Sequence, residues 1–70
     1  MVEAASIILY IHRKIIKKLQ KANATAENPK TAEEAGITTN ELQWIDGLIF
    51  QGKVKEIVDE EGNKRYYAVQ

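Results

Sequence analysis

The stretches TAEEAGITTNELQWI at residues 31–45 and GKVKEIVDEEGNKRYYAV at residues 52–69 decide the fold of this 70-residue chain. The first stretch predicts two short helices that meet at Gly36, because glycine accepts the left-handed backbone at the end of a helix. The second stretch predicts two strands joined by an acidic turn, in which Gly62 supplies a positive φ. Two helices joined by a tight turn and followed by a β-hairpin are therefore the expected order of elements.

Both predicted helices carry a start signal. Thr31 and Glu34 have the spacing of a capping box, in which the hydroxyl accepts a free backbone N–H and the carboxylate reaches back to the cap residue. Thr38 and Glu41 repeat that spacing at the start of the next helix, which is expected to end near Gln51. The buried arc predicted for this helix comprises Leu42, Ile45, Leu48 and Ile49, with Trp44 at its edge.

A longer amphipathic helix is predicted ahead of this unit, from about Glu3 to Ala22. With residues about 100° apart, one face collects Ala4, Ile8, Ile11, Ile15, Leu19 and Ala22. Ile7, Leu9 and Tyr10 fall outside that face, so the first half of the helix is apolar nearly all round. Such a surface requires a cover, and the simplest cover is a second copy of the chain. These three residues are therefore the predicted dimer interface.

Size and composition exclude several classes of protein. A chain of 70 residues without cysteine has neither a disulfide nor a cysteine-ligated metal to support its small core. No apolar run reaches the roughly 18 residues of a membrane span, and the apolar start lacks the features of a secretory signal, so an intracellular, cytoplasmic protein is expected. His12 has no companion metal ligands and no catalytic motif is present, so neither an enzyme nor a cofactor is expected.

The charges balance but are unevenly spread. The chain has 10 basic and 10 acidic residues, whereas a free-standing nucleic-acid binder is usually basic. Residues 1–22 are mostly basic, residues 23–51 are mostly acidic, and the remainder is mixed. We interpret the lysines of the first helix as a solvated face rather than a binding stripe, and the acidic run at residues 59–61 as a solvated turn.

Residues 31–45 resemble a helix-turn-helix motif. The motif has a small residue, a glycine four positions on, a hydrophobic residue after it and two core positions, which are here Ala32, Gly36, Ile37, Leu42 and Ile45. Residues 52–69 are similar to the wing of winged-helix transcriptional regulators, in which a glycine precedes a strand, an acidic turn and a basic-aromatic strand. The resemblance, over about residues 12–69, implies an α+β, mainly α fold: a winged helix with three helices and a two-stranded antiparallel hairpin.

That fold would occupy residues 1–70 as a single winged-helix domain. Helix 1 takes about residues 3–22, the helix-turn-helix takes residues 31–51, and the wing takes residues 53–69. Residues 23–30 between the first two parts are a predicted loop, because they lack periodicity and contain asparagine and proline.

The resemblance also implies binding to double-stranded DNA and regulation of transcription, with the third helix in the major groove and the wing on the backbone. The residues implied as nucleic-acid contacts are Thr38, Thr39, Asn40, Gln43, Gly47, Lys53, Lys55, Lys64 and Arg65. Asparagine and glutamine bond both edge atoms of adenine, and basic residues bind phosphates. The third helix has no lysine or arginine, so one copy is expected to bind weakly, and a homodimer would double the contacts.

A protein–protein adaptor within a larger complex is the alternative function. The zero net charge and the acidic middle of the chain suit this role. An RNA-binding winged helix is a third alternative. DNA binding predicts an affinity that falls steeply with added salt, whereas an adaptor does not.

Overall fold

The computed structural model describes the backbone of residues 4–69 and the side chains of residues 7–69. Its elements are α1 (Ala4–Lys21), α2 (Ala32–Ala35), α3 (Thr39–Leu42), α4 (Ile45–Phe50), β1 (Val54–Val58) and β2 (Lys64–Ala68). Glu3, the predicted first residue of helix 1, lies outside the described residues. The α+β class with a two-stranded antiparallel sheet is confirmed.

The amphipathic α1 buries the face that its periodicity predicts. Ile15 and Leu19 are 0% exposed, and Ile11 is half-buried beside them. Just beyond the helix, Asn23 has a φ of 59°, and the Ala24 N–H donates to the Leu19 carbonyl over 3.0 Å. This closure satisfies a carbonyl that the end of a helix otherwise leaves without a partner.

The turn between α2 and α3 has the predicted local structure. The Thr31 hydroxyl accepts the Glu34 N–H, and the Glu34 carboxylate accepts the Thr31 N–H. The same exchange joins Thr38 and Glu41. Gly36 between them has a φ of 75°, so the left-handed residue required by the turn is the one predicted. Both capping boxes and the hinge are therefore confirmed.

The predicted third helix is not continuous, and this part of the prediction is wrong. The Trp44 N–H donates to the Glu41 carbonyl, three residues back, over 2.9 Å. Gln43 and Trp44 therefore form a tighter turn between α3 and α4. A turn of this kind has about 3.0 residues per turn, whereas an α-helix has about 3.6. The outer faces of α3 and α4 are therefore rotated relative to each other and do not form one continuous face. Ile45 and Leu48 of α4 are buried, as predicted.

Gly47 in α4 faces α1. A Cβ built at Gly47 would lie 3.4 Å from His12 Nε2, and His12 is buried with 8% exposure. Gly47 therefore lies beside the His12 side chain, at a separation that an alanine methyl also tolerates. Gly47, which the resemblance implies as a nucleic-acid contact, is exposed on α4 beside His12.

β1 and β2 form the two-stranded antiparallel hairpin that the sequence predicts within residues 53–69. Val54 lies opposite Ala68, and Val58 lies opposite Lys64. Gly62 in the connecting turn has a φ of 85°, as the turn prediction requires. The hairpin, which the sequence analysis expects as a wing, is therefore a regular ribbon that begins shortly after α4 ends.

Lys30 forms a short bridge on the other side of β2, in a segment predicted to be only a loop. Its N–H donates to the Tyr66 carbonyl over 3.0 Å, and its carbonyl accepts the Tyr66 N–H over 2.7 Å. A single paired residue produces no alternation in the sequence, so no pattern predicts this bridge. Tyr66 is 4% exposed, so the bridge attaches the connection after α1 to the centre of the domain.

One hydrophobic core joins α1, α2, α4 and both strands. Its buried members are Ile15, Leu19, Ala24, Ala35, Ile37, Ile45, Leu48, Val54, Tyr66 and Ala68. Tyr66 packs inward and Tyr67 is half-buried, consistent with their alternation along β2. Phe50 of α4 is 93% exposed and does not belong to the core.

Gly47→Ala is expected to stabilise the protein, whereas Gly36→Ala is expected to destabilise it. At Gly47 the backbone is helical and the added methyl meets His12 at 3.4 Å, an ordinary contact, so about 1 kcal/mol of helix propensity is gained. At Gly36 the φ of 75° costs any residue with a Cβ about 1–2 kcal/mol. Urea denaturation measures both changes in the free energy of unfolding. A less stable Gly47→Ala protein would contradict the stated packing of α1 on α4.

Candidate nucleic-acid interface

Three polar side chains are displayed at α3 and the turn that follows it. Thr39, Asn40 and Gln43 are all exposed. Within residues 7–69, the side-chain hydrogen bonds at α3 involve Thr38 and Glu41 rather than these three residues. Their donors and acceptors therefore remain available to a ligand.

Thr38 is committed to its capping box. Its hydroxyl accepts the Glu41 N–H over 3.2 Å, and its own N–H donates to Glu41 Oε1 over 2.9 Å. The Thr38 N–H is thus engaged within the protein, whereas the hydroxyl only accepts in this contact and keeps its own O–H as a donor. Thr39, the next residue, keeps a free hydroxyl.

Glu41 places a negative charge within α3, and two lysines of α1 offset it. Lys18 donates from Nζ to Glu41 Oε1 and, over 2.9 Å, to the Gly36 carbonyl, while Lys14 Nζ lies 4.0 Å from Glu41 Oε2. Burial alone would raise the pKa of Glu41, but hydrogen bonds from Lys18 and the Thr38 N–H outweigh it and hold that pKa below its ordinary value. The carboxylate is therefore ionised at neutral pH but locally balanced.

Arg65 is bound within the protein, which argues against its implied role as a phosphate contact. Its Nε donates to Asp59 Oδ2 over 2.9 Å, and its Nη1 donates to Glu34 Oε1 over 2.9 Å and to the Pro29 carbonyl over 3.3 Å. The Arg65 hydrogen bond holds the pKa of Asp59 below its ordinary value. The pKa of Glu34 is lowered first by the Thr31 N–H and then by Arg65. Arg65 therefore joins the wing to α2 and to the connection before it.

The remaining basic residues of the wing face solvent. Lys53, Lys55 and Lys64 are exposed. Lys64 Nζ lies 3.7 Å from Glu56 Oε1, with 65% of the lysine side chain exposed. A surface pair of this kind contributes little energy. All three lysines therefore remain able to bind phosphates.

The face of α1 that points away from the core is also basic. With residues about 100° apart, Lys17 lies opposite the buried side, and Tyr10, Arg13 and Lys21 lie within about 40° of it. All four are exposed. We call Arg13, Lys17 and Lys21 the basic face of α1. Within residues 4–69, the ion pairs engage other cations and leave these three without a carboxylate partner.

The residues predicted to form a dimer interface are not covered by any other part of residues 7–69. Ile7 is 51% exposed, Leu9 is 44% exposed and Tyr10 is 65% exposed. Lys14 Nζ lies 6.0 Å from the centre of the Tyr10 ring, within the range of a cation–π contact. Apolar and basic groups therefore lie next to each other at the middle of α1.

Two other kinds of site find no basis in residues 4–69. No helix there combines the length and the apolar character needed to cross a membrane. The same part of the chain brings no three His, Asp or Glu side chains together as metal ligands. His12 is instead packed between α1 and α4.

The chain matches no protein-family model, and no curated protein or solved structure shows significant similarity to it. Any inference about function therefore depends on the exposed groups at α3, on the wing and on α1.

Arg65→Gln is expected to lower the melting temperature at pH 7 and to weaken the dependence of stability on acid. The pKa values of Asp59 and Glu34 lie below their ordinary values of 3.8 and 4.5 in the folded protein. The unfolded chain consequently binds more protons at low pH, so this stability is fully present above those ordinary values and is lost as pH falls from them through the lower pKa values of the folded protein. Thermal denaturation from pH 7 to pH 3 measures both effects.

Lys64→Gln is the matched control, because it removes one positive charge from the neighbouring residue and only a solvated ion pair. Its melting temperature should remain at the parental value. An Arg65→Gln protein as stable and as acid-sensitive as this control would contradict the role of Arg65 as a tie between elements.

Proposed function

We propose that this protein is a winged-helix protein that binds double-stranded DNA and regulates transcription. α3 and the turn after it enter the major groove, and the wing lies along the backbone. The observation that carries the proposal is the set of three exposed polar side chains at α3 whose hydrogen-bonding groups are not used within residues 7–69.

The chemistry of these side chains suits the edges of bases. Asn40 and Gln43 each carry a donor and an acceptor in a fixed arrangement, and this arrangement matches the adenine edge in the major groove. Thr39 adds a hydroxyl that serves as a donor or an acceptor. Both amides lie on a short segment whose backbone is held by the Thr38 cap before DNA binds.

Backbone affinity comes from outside α3. Lys53, Lys55 and Lys64 supply positive charge on the wing, while Arg65 stays with its own carboxylates. Because phosphate contacts supply most of the affinity of such proteins, a single domain with these lysines binds weakly at physiological salt. Lys14 and Lys18 prevent Glu41 from adding a full repulsive charge next to Asn40.

Asn40→Ala combined with Gln43→Ala is expected to reduce discrimination between DNA sequences. Selection from a pool of random duplexes first yields a preferred duplex, and fluorescence anisotropy then gives its affinity relative to a scrambled duplex. The affinity ratio should fall about tenfold or more, because each bidentate pair to a base contributes about 1–3 kcal/mol of discrimination. The affinity for the scrambled duplex should stay within a factor of about two.

Gln20→Ala is the control, since Gln20 is an exposed glutamine on α1. It should leave both affinities unchanged. An unaltered affinity ratio in the Asn40→Ala, Gln43→Ala protein would overturn base reading by α3. A parent protein that shows no salt-dependent duplex binding would instead favour the adaptor, which the 93% exposure of Phe50 suits.

The same proposal includes a homodimer formed through Ile7, Leu9 and Tyr10 of α1. Light scattering at micromolar concentration should give twice the mass of one chain, and Ile7→Ser with Tyr10→Ser should return it to the mass of one chain. Phe50→Ser is the control, because it removes an exposed apolar side chain from α4. A parent protein that is monomeric at this concentration would remove the dimer from the proposal.

A further inference from the structure

The basic face of α1 has no counter-charge within its own helix. No acidic residue occurs between Ala4 and Lys21. Arg13 and Lys17 are four residues apart, as are Lys17 and Lys21, and like charges at that spacing destabilise a helix. Folding leaves this repulsion in place, since no carboxylate from another described element pairs with any of the three. A bound polyanion would relieve it.

Other positively charged side chains of the protein form ion pairs between elements when the chain folds. Lys18 is paired with Glu41, and Arg65 is paired with Asp59 and Glu34. These pairs tie α1 to α3 and the wing to α2. Within residues 4–69 the cations of the basic face make no such tie between elements.

The spacing of the basic face fits a phosphate backbone. At a rise of about 1.5 Å per residue, Arg13, Lys17 and Lys21 span about 12 Å of helix axis. One DNA strand presents a phosphate about every 3.4 Å along the duplex axis, so it offers about three phosphates over that length. Three cations in a row thus meet a comparable number of anionic groups.

Lys14 connects this surface to α3. It lies about 60° from Lys17 around the helix, and its Nζ is 4.0 Å from Glu41 Oε2. The basic face therefore continues toward the start of α3, where Asn40 is exposed. We propose that Arg13, Lys17 and Lys21 bind the phosphate backbone of the same DNA duplex whose bases α3 reads, an inference that rests on the proposed function.

The burial of the apolar side of α1 favours DNA over a lipid surface. A basic amphipathic helix binds a membrane by inserting its apolar face among the lipids. In this protein Ile15 and Leu19 of that face are 0% exposed and belong to the core. The apolar side behind Arg13, Lys17 and Lys21 is thus not available for insertion, while their charges remain available; the exposed Ile7, Leu9 and Tyr10 lie in the first half of the helix.

The test compares two variants by the salt dependence of their affinity for the preferred duplex. Arg13→Gln with Lys17→Gln and Lys21→Gln should make the slope of log K against log salt less negative by about 2–3, and should weaken binding about tenfold or more at low salt. The ratio of affinities for the preferred and scrambled duplexes should not change, because phosphates carry no sequence information. Arg13→Lys with Lys17→Arg and Lys21→Arg keeps the charge and should retain the parental slope.

Circular dichroism and thermal denaturation confirm that the neutral variant is folded, and removal of like-charge pairs should leave its melting temperature at or above that of the parent. An unchanged slope in this folded variant would overturn the inference. A second result would also overturn it: the parent cosediments with phosphatidylserine vesicles but shows no salt-dependent binding of DNA, and the neutral variant no longer cosediments.

The inference and the proposed function fail in different ways. A reduced slope in the neutral variant, together with an unaltered affinity ratio in Asn40→Ala with Gln43→Ala, supports the basic face and overturns base reading by α3. The reverse pair of results supports base reading and overturns the basic face. A parent protein without salt-dependent duplex binding overturns both.

Discussion

The structure depends on the docking of α1 through Ile15 and Leu19, which are both completely buried. A chain of 70 residues without cysteine has little core to stabilise it. α2 and α3 are four residues each, too short to be stable as isolated helices. They persist because their caps satisfy their ends and because α1 supplies the apolar surface on which Ile37, Ile45 and Leu48 cluster.

The polar contacts that complete this arrangement also limit what the surface is able to do. Lys18 binds both the Gly36 carbonyl and Glu41, so it fixes the turn between α2 and α3 and offsets an acidic group beside Asn40. Arg65 holds the hairpin in place by donating to Asp59 and Glu34. Its positive charge is therefore not available to a phosphate. Positive charge available to a polyanion therefore lies on the lysines of the wing and on α1, and this distribution explains how a chain without net charge retains basic surfaces.

Local signals predicted most of the fold, and the failures lie where contacts between distant residues decide. The capping boxes, Gly36, the first strand and the burial of Ile15 follow from neighbouring residues and from periodicity. The tight turn at Trp44 was not predicted, because the same residues fit a continuous helix equally well. The Lys30 bridge leaves no pattern in the sequence. At the candidate site, residue type identified Asn40 and Gln43 as side chains able to bond bases. Residue type does not show that Lys18 and Arg65 form ion pairs within the protein.

The sequence by itself determined the order of helices and strands, the positions of the caps and the left-handed hinge, since these depend on interactions within a few residues. Only the tertiary structure decided that Arg65 is an internal tie, that Gly47 lies beside His12, and that Arg13, Lys17 and Lys21 have no carboxylate partner within residues 4–69. The physical reason is distance along the chain: Lys18 meets Glu41, and Arg65 meets Glu34, only after the core has brought their elements together.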